Sequence, residues 1–222
     1  MNRQYYNAQL LKKKPYRGDN NSIKFIGVES TYNLLSLSTT CNKPNGTIDG
    51  DLLIAFVHTI NSTTFCTQPS EWFMFTGYDY LGHRLRVYWK PASSELTSYN
   101  FTFQESAENR ITICSYRNVN ITTPQLGFVI KGSSTGNGNN SVVYTRKNAM
   151  LVFSTHKNNN DIVNWIRPQG FVKVYDSDSS LSCTVSNKLL KNNNDNINII
   201  STPSISTGSN ICFSLTLNPK YP

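Results

Sequence analysis

The chain has 222 residues, 38% of them apolar and 12% aromatic, and a formal charge of +8. That supports a sizeable core in one large domain or two small ones. No run approaches the roughly 18 apolar residues of a membrane span, and the first residues lack the apolar centre of a secretory signal, so the chain reads as made in a cytoplasm, or in whatever infects one. Five scattered cysteines, Cys41, Cys66, Cys114, Cys183 and Cys212, form no CxxC or Cys/His cluster. That argues against zinc and for reduced, structural thiols.

Residues 1–21 read as a basic, extended arm. Arg3, Lys12, Lys13, Lys14 and Arg17 face Asp19 alone, a net +4 and half of the total charge. Tyr5–Lys14, "YYNAQLLKKK", is the only mild helical candidate. A merely solvated tail needs no apolar anchors, yet Tyr5, Tyr6, Leu10 and Leu11 are present, so the arm is expected to order on a neighbouring subunit. Nucleic acid is disfavoured as its partner: no recognition helix or RNA-binding signature follows, and two tyrosines make a slim stacking platform.

The body, 22–222, is organised by a repeat. From Asp51 it runs "DLLIAFVHT", "QPSEWF", "RLRVYWK", "SYNFTF", "RITICSY"; from Ala149, "AMLVFSTHK", "RPQGFVKVY", "LSCTVSNK", "INIIST", "NICFSLTL". Leu53 and Leu151 differ by 98, Pro69 and Pro168 by 99, Lys90 and Lys188 by 98, Ile111 and Ile211 by 100. Upstream, "KFIGV" at Lys24 is matched with "GFVIK" at Gly127, giving units of about 23–122 and 126–219.

Each unit reads as β. "FTFQ" and "RLRVYW" alternate, while "DLLIAFV" is a continuous apolar run suited to a strand covered on both faces. Turn signals recur at Pro44–Gly46, Gly77, Gly82, 132–140 and Gly208. The expected fold is all-β, an antiparallel, jelly-roll-like sandwich built from two related halves of about 100 residues; two small tandem sandwiches are the alternative. Gly50 and Asp51 form the turn into the central strand, Pro69 fixes the chain as it re-enters the sheet, and Trp72 plugs the end of the core. Pro168 and Phe171 hold the matching places in the second unit, and Trp89 lies in a core strand.

The series "NGTIDGDLLIAFV…QPSEW…LRVYWKPASSELTSYNFTF…ITICSYRNVN", ending "CFSLTLNP", resembles a β-sandwich module of phage and prophage virion proteins. That module has P-x-G-x-x-x-G-D-L-L, P-x-G-W, a "YYK-A" strand, an acidic residue, a "YTFT" strand, "A-Y-R-G-V" and a closing "AL-P" strand. The likeness covers about residues 23–220. It holds at Gly50, Asp51, Leu52, Leu53, Pro69, Trp72, Lys90, Ala92, Glu95, Tyr99, Tyr116 and Arg117, and departs at Glu71 and Asn118, where the pattern has Gly. The resemblance implies a non-enzymatic part of a virus particle: capsid decoration, minor capsid, tail or fibre.

The sequence assigns no catalytic residue, cofactor or metal ligand. The three histidines are His58, His83 and His156. His58 and His156 hold equivalent places in the repeat, which favours framework, at exposed strand ends. The close carboxylate pairs, Asp49/Asp51 and Asp176/Asp178, read as turn caps before calcium ligands. No lipase, P-loop or metalloprotease motif occurs. Tyr78, Tyr80, Trp165 and Tyr175 lie near strand ends and carry the alternative reading, a host-glycan-binding module using loops Phe75–Gly82 and Asn158–Trp165. Six N-x-S/T sequons are near chance in so Asn-rich a chain.

Overall fold

A computed structural model describes residues 21–60, 65–134, 138–141, 146–158, 165–177, 181–191, 198–203 and 209–220. Among these the chain is all-β, without a helix, and hence without one long and apolar enough to cross a membrane. The first half contributes β1 (Lys24–Asn42), β2 (Leu52–Ile60), β3 (Cys66–Thr67), β4 (Phe73–Tyr80), β5 (His83–Pro91) and β6 (Ser98–Arg117). The second contributes β7 (Gln125–Ser133), β8 (Gly138–Ser141), β9 (Met150–Asn158), β10 (Trp165–Ile166), β11 (Val172–Asp176), β12 (Leu181–Leu189), β13 (Asn198–Pro203) and β14 (Asn210–Leu217).

The two halves have one topology. The first main sheet runs β1-β6-β2-β5-β4 and the second β7-β14-β9-β12-β11, all antiparallel. The ends of β1 and β6 remote from the sheet, with β3, form a flap over the first half, and β8, β13 and β10 form its counterpart as a separate three-stranded sheet. In the first half β1 and β6 run unbroken through the bend from sheet to flap, with register shifts between Asn33 and Ser38. Bulges repeat too: the β4/β5 register slips between Met74 and Thr76, and the β11/β12 register between Lys173 and Tyr175.

The register refines two sequence alignments. Val57 pairs with Ile111, and its counterpart Thr155 pairs with Cys212, so Ile111 corresponds to Cys212 rather than Ile211. Gly27 pairs with Ser115 and Gly127 with Thr216, so "KFIGV" is matched through Gly27 and Gly127, not through Lys24. The first match moves by one residue and the second by three, and in both the corresponding strands keep the same inward positions.

The apolar run of β2 is buried on both faces. Leu52, Ile54 and Phe56 join Leu85, Val87, Tyr116, Met150, Val152, Val185, Ile211, Phe213, Leu215 and Leu217 in the inner core between the main sheets. Leu53, Ala55 and Val57 point the other way, into an outer core with Trp72, Tyr88, Phe101, Phe103, Ile111 and Ile113. The second half repeats this with Leu151, Phe153, Phe171, Leu190 and Cys212. The molecule is therefore a sandwich of two related halves sharing one inner core, each with an outer layer of its own.

The turns match residue for residue. The N–H of Gly50 donates to Ala92, and that of Asn148, 98 positions on, to Leu190. Both have positive φ, 86° and 66°. The N–H of Trp72 donates to Pro69, and that of Phe171 to Pro168. Ahead of each aromatic stands a residue in the left-handed region, Glu71 (φ 66°) and Gly170 (φ 79°). The bend aims each ring into its outer core: Trp72 meets Tyr99 edge-on at 5.3 Å, and Phe171 meets Phe153 edge-on at 6.4 Å. Trp89 is half-buried at one end of the inner core.

Truncating either ring removes a large buried side chain from a closed layer. Trp72→Ala and Phe171→Ala should each cost about 3–5 kcal/mol of stability, and Gly170→Ala about 1–2 kcal/mol because φ is positive there. Urea titrations of the three variants beside the wild type measure this; a cost below ~1 kcal/mol at Trp72 would contradict its place in the core.

Candidate functional site

Two places gather functional groups: the seam between the sheets at the strand ends of β2, β5 and β9, and the end of the first half where the loops return.

At the seam the three histidines of the chain meet. His58 ends the apolar run of β2, His83 opens β5 beside it, and His156 comes from β9 in the opposite sheet. His58 and His83 stack with ring centroids 5.4 Å apart, and His156 stands edge-on to His58 at 5.3 Å. His58 Nε2 and His83 Nδ1 share a hydrogen bond of 3.2 Å, His83 Nε2 bonds Ser209 Oγ at 2.7 Å, and His156 Nε2 bonds Ser154 Oγ at 3.1 Å. The Nδ1 atoms of His58 and His156 are buried without a hydrogen-bond partner among the described residues. The expectation of exposed strand ends is thus corrected: all three rings are at most 2% exposed. Strand-end residues are covered here because the facing sheet brings its own equivalent strand end against them.

Burial holds all three imidazoles neutral. It lowers His83 to about 4. It lowers His156 to about 3, reinforced by Arg110 and His83. His58 is held well below the usual value by burial, then by His156, His83 and Arg110. Arg110 crosses the seam, donating from Nε to the Leu181 carbonyl (2.6 Å) and from Nη1 to Tyr175 Oη (2.8 Å). Two of the rings bond each other, and among the described residues no group of three or more His, Cys, Asp or Glu is arranged to hold a metal ion.

The second place is built by the resemblance residues. Arg117 at the end of β6 grips Asp51 with two hydrogen bonds, from Nε at 2.8 Å and Nη2 at 2.9 Å. Asp51 Oδ2 also accepts the Ile48 N–H at 3.0 Å, closing the turn. Lys90 is buried and pairs with Glu95 (2.9 Å) and Glu71 (3.1 Å). Glu95 accepts from Tyr99 Oη and the Ser93 N–H. Burial alone would raise the Glu95 carboxyl, but the donors Tyr99, Ser93 and Lys90 outweigh it and hold it below the usual value. Trp72 lies on Tyr99. Buried charges are paired here and hold a turn, a strand end and a loop together.

The other carboxylates cap or pair. Asp49 accepts the Ser94 N–H at 2.8 Å and shares no partner with Asp51. Asp79 is gripped by Arg84 and Arg86 (2.9 and 2.7 Å), and Asp176 pairs with Lys173. Asp178 lies outside the described residues. Tyr78 and Tyr80 stack on each other at 6.3 Å and pack against the inner core, with the Tyr80 ring over the Gly132 backbone. Tyr175 bonds Arg110. The Trp165 side chain and the 159–164 loop lie outside the described residues, as do all the arm residues: Arg3, Tyr5, Tyr6, Leu10, Leu11, Lys12, Lys13, Lys14 and Arg17. The five cysteines are free thiols. Cys66 is half-exposed rather than buried. Burial pushes Cys41 up to about 11 and Cys66 to about 12, so these are poor nucleophiles at neutral pH.

Sequence reasoning missed the exposed apolar side chains. Leu34, Leu35 and Leu37 cluster at the bend of β1, and Phe73 and Met74 open the edge strand β4. The leucines carried a signal, since "NLLSLS" does not keep strict alternation. Compared with known proteins, the chain matches no family model, no curated protein and no solved structure.

The histidines make stability depend on pH. Unfolded, each titrates near 6.5; folded, each is lower. The unfolded chain therefore binds more protons below pH ~6.5, and stability falls as pH falls, until about 4 for His83 and about 3 for His156. Each histidine should contribute a slope of up to ~1.4 kcal/mol per pH unit. Urea unfolding between pH 6.5 and 5, above most carboxylate titration, measures it. His156→Phe should flatten the slope by up to about a third; an unchanged slope would contradict the buried neutral cluster.

Proposed function

We propose that this protein is a non-enzymatic structural component of a virus particle, a capsid-decoration, minor capsid, tail or fibre protein. It acts by assembly with other virion subunits through its sandwich and its N-terminal arm. The observation that carries the reading is the contact between residues that the resemblance singles out by order alone. Gly50, Asp51, Pro69, Trp72, Lys90, Glu95, Tyr99 and Arg117 are spread over 68 positions, and they form one interlocked end of the first half. The two departures from the module pattern support it as well. Glu71 and Asn118 stand where the pattern has Gly, and both have positive φ, 66° and 64°. Glycine is favoured at such positions for lack of a Cβ.

An assembly role asks for a rigid block whose interior is closed and whose contacts lie on its surface. The histidines, the groups best suited to acid–base chemistry, are packed out of solvent between the sheets. The arm adds reach: it becomes ordered on docking, and its charge hastens encounter with an acidic surface.

A second reading, host-glycan binding, has one observation in its favour. Phe73 is half in solvent and lies 4.9 Å from Trp89, with Phe75 at 5.6 Å on the same indole. Such a shelf can stack on a sugar ring. Glycan-array binding that is lost in Phe73→Ala would favour this reading over a purely structural one.

Deletion of residues 2–21 tests the assembly role. The truncated chain should keep its thermal midpoint within a few degrees while its incorporation into particles, measured by quantitative mass spectrometry of purified virions, drops at least tenfold. Undiminished incorporation would overturn the arm's part in it.

A further inference from the structure

The bend of β1 is unlike the rest of the surface. Leu34, Leu35 and Leu37 are 70%, 71% and 58% exposed, three large apolar side chains within four residues. They lie on the edge strand of the first main sheet, where β1 leaves the sheet for the flap and the register slips twice, on either side of the Ser36–Ala107 pair. Two slips turn the strand, so neighbouring side chains no longer alternate across it, and Leu34 and Leu35 both face solvent. A 19-residue edge strand with an apolar knob is a template for association unless something covers it.

Around the knob the ribbon is acidic. Residues 25–42 and 98–109 contain Glu29, Glu105 and Glu108 and no Lys or Arg; of the ribbon's basic residues, Arg110 is buried in the seam, and Arg117, paired with Asp51, and Lys24 stand at its far end. Glu105 and Glu108 flank Ala107, the residue paired with Ser36 in the middle of the knob. Glu108 accepts a hydrogen bond from Tyr32 at 2.6 Å, which fixes it on the β1 side of the ribbon.

We propose that this patch is the docking site for the N-terminal arm of a second copy of the chain, Leu10 and Leu11 packing on Leu34, Leu35 and Leu37 and Lys12–Lys14 facing Glu105 and Glu108. The proposal rests on the assembly reading above and names the surface the arm engages. Its support is complementarity of two kinds: paired leucines followed by three lysines meet three leucines with two carboxylates on the neighbouring strand β6. The arm's own body is the less suited acceptor. The described chain starts at Asn21, beside the start of β1, with Ser22 buried and its carbonyl held by Asn118. Leu34 lies ten residues along β1 from Lys24, about 33 Å. Ten residues separate Leu11 from Asn21, about 33–36 Å fully extended, so an arm doubling back would use its whole length with no slack. A neighbour's arm has no such restriction.

The test uses the full-length chain. Sedimentation velocity from micromolar to several hundred micromolar should show concentration-dependent association. The triple variant Leu34→Ser, Leu35→Ser, Leu37→Ser and the double variant Leu10→Ser, Leu11→Ser should each weaken association at least tenfold. Thermal midpoints should stay unchanged in the triple variant, because those side chains are already in solvent. Carbodiimide cross-linking of a mixture of isotope-labelled and unlabelled protein then identifies the acceptor. Links from Lys12–Lys14 to Glu105 or Glu108 between copies of different isotope are expected. Links only within one isotope, association undisturbed by the leucine variants, or no association at any concentration would each overturn the proposal. In particles, normal incorporation of the triple variant beside loss of the arm deletion would discard this surface and leave the arm's role standing.

Discussion

Everything in this molecule depends on strands that must be covered on both faces. β2 reads Leu-Leu-Ile-Ala-Phe-Val without a polar break, and β9 opens Met-Leu-Val-Phe. In water each would expose two apolar faces, so each half needs a layer on either side of its main sheet. One layer is supplied locally, by the flap. The other is supplied by the opposite half, through Val152, Ile211, Phe213 and Leu215 on one side and Ile54, Phe56, Leu85 and Val87 on the other. Phe56 and Phe213 meet edge-on at 5.9 Å in this layer. The halves resemble two tandem sandwiches in their outer cores only; pulling them apart would return the inner faces to water, at about 25 cal/mol for each Å² of apolar surface.

Duplication about a common seam explains why the histidines gather. When two copies of one motif face each other, residues at equivalent positions meet near the axis relating them, as in a symmetric dimer. His58 and His156 are such equivalents, 98 residues apart in sequence and 5.3 Å apart in space. A residue at this position is always opposed by its own counterpart. Two neutral rings pack well there, while two charged ones would repel without a nearby carboxylate to answer them; Arg110 adds to the positive side. The same seam that stabilises the protein at neutral pH is therefore its point of acid weakness.

The repeat, the strand character and the turn-plus-aromatic signature were legible because each rests on local chemistry: alternation, a left-handed turn position, a proline three residues before a ring. The doubly covered strand was legible for the same reason, since six apolar residues are too few for a helix and too uniform for a half-exposed strand. The histidine cluster was not, because it depends on which face of one sheet lies over which face of another. Nor was the Arg117–Asp51 pair, which joins residues 66 apart. The left-handed positions of Glu71, Asn118 and Asn148 were masked by their polar side chains: the module pattern has Gly at the first two, and nothing in the sequence marks the third. The exposed leucines were hidden by the opposite effect, an apolar stretch that reads as core until the register slips around Ser36 are seen.

The two halves share topology but not the chemistry of their outer layers. Where the first has Val57, Tyr88, Arg84 and Ile113, the register puts Thr155, Ser186, Ser182 and Ser214 in the second. The first outer layer is a packed aromatic core under a flap continuous with the main sheet. Among the described residues the second is smaller and more polar, with Thr155, Ser182, Ser186 and Asn210 buried on this face. Duplication preserved what both halves need, the inner face and the turns that frame it, and left the outer layers free to diverge. The first half kept the interlocked end and the aromatic layer beside it, and the second kept the turn and ring, Pro168 and Phe171, that frame its face of the seam.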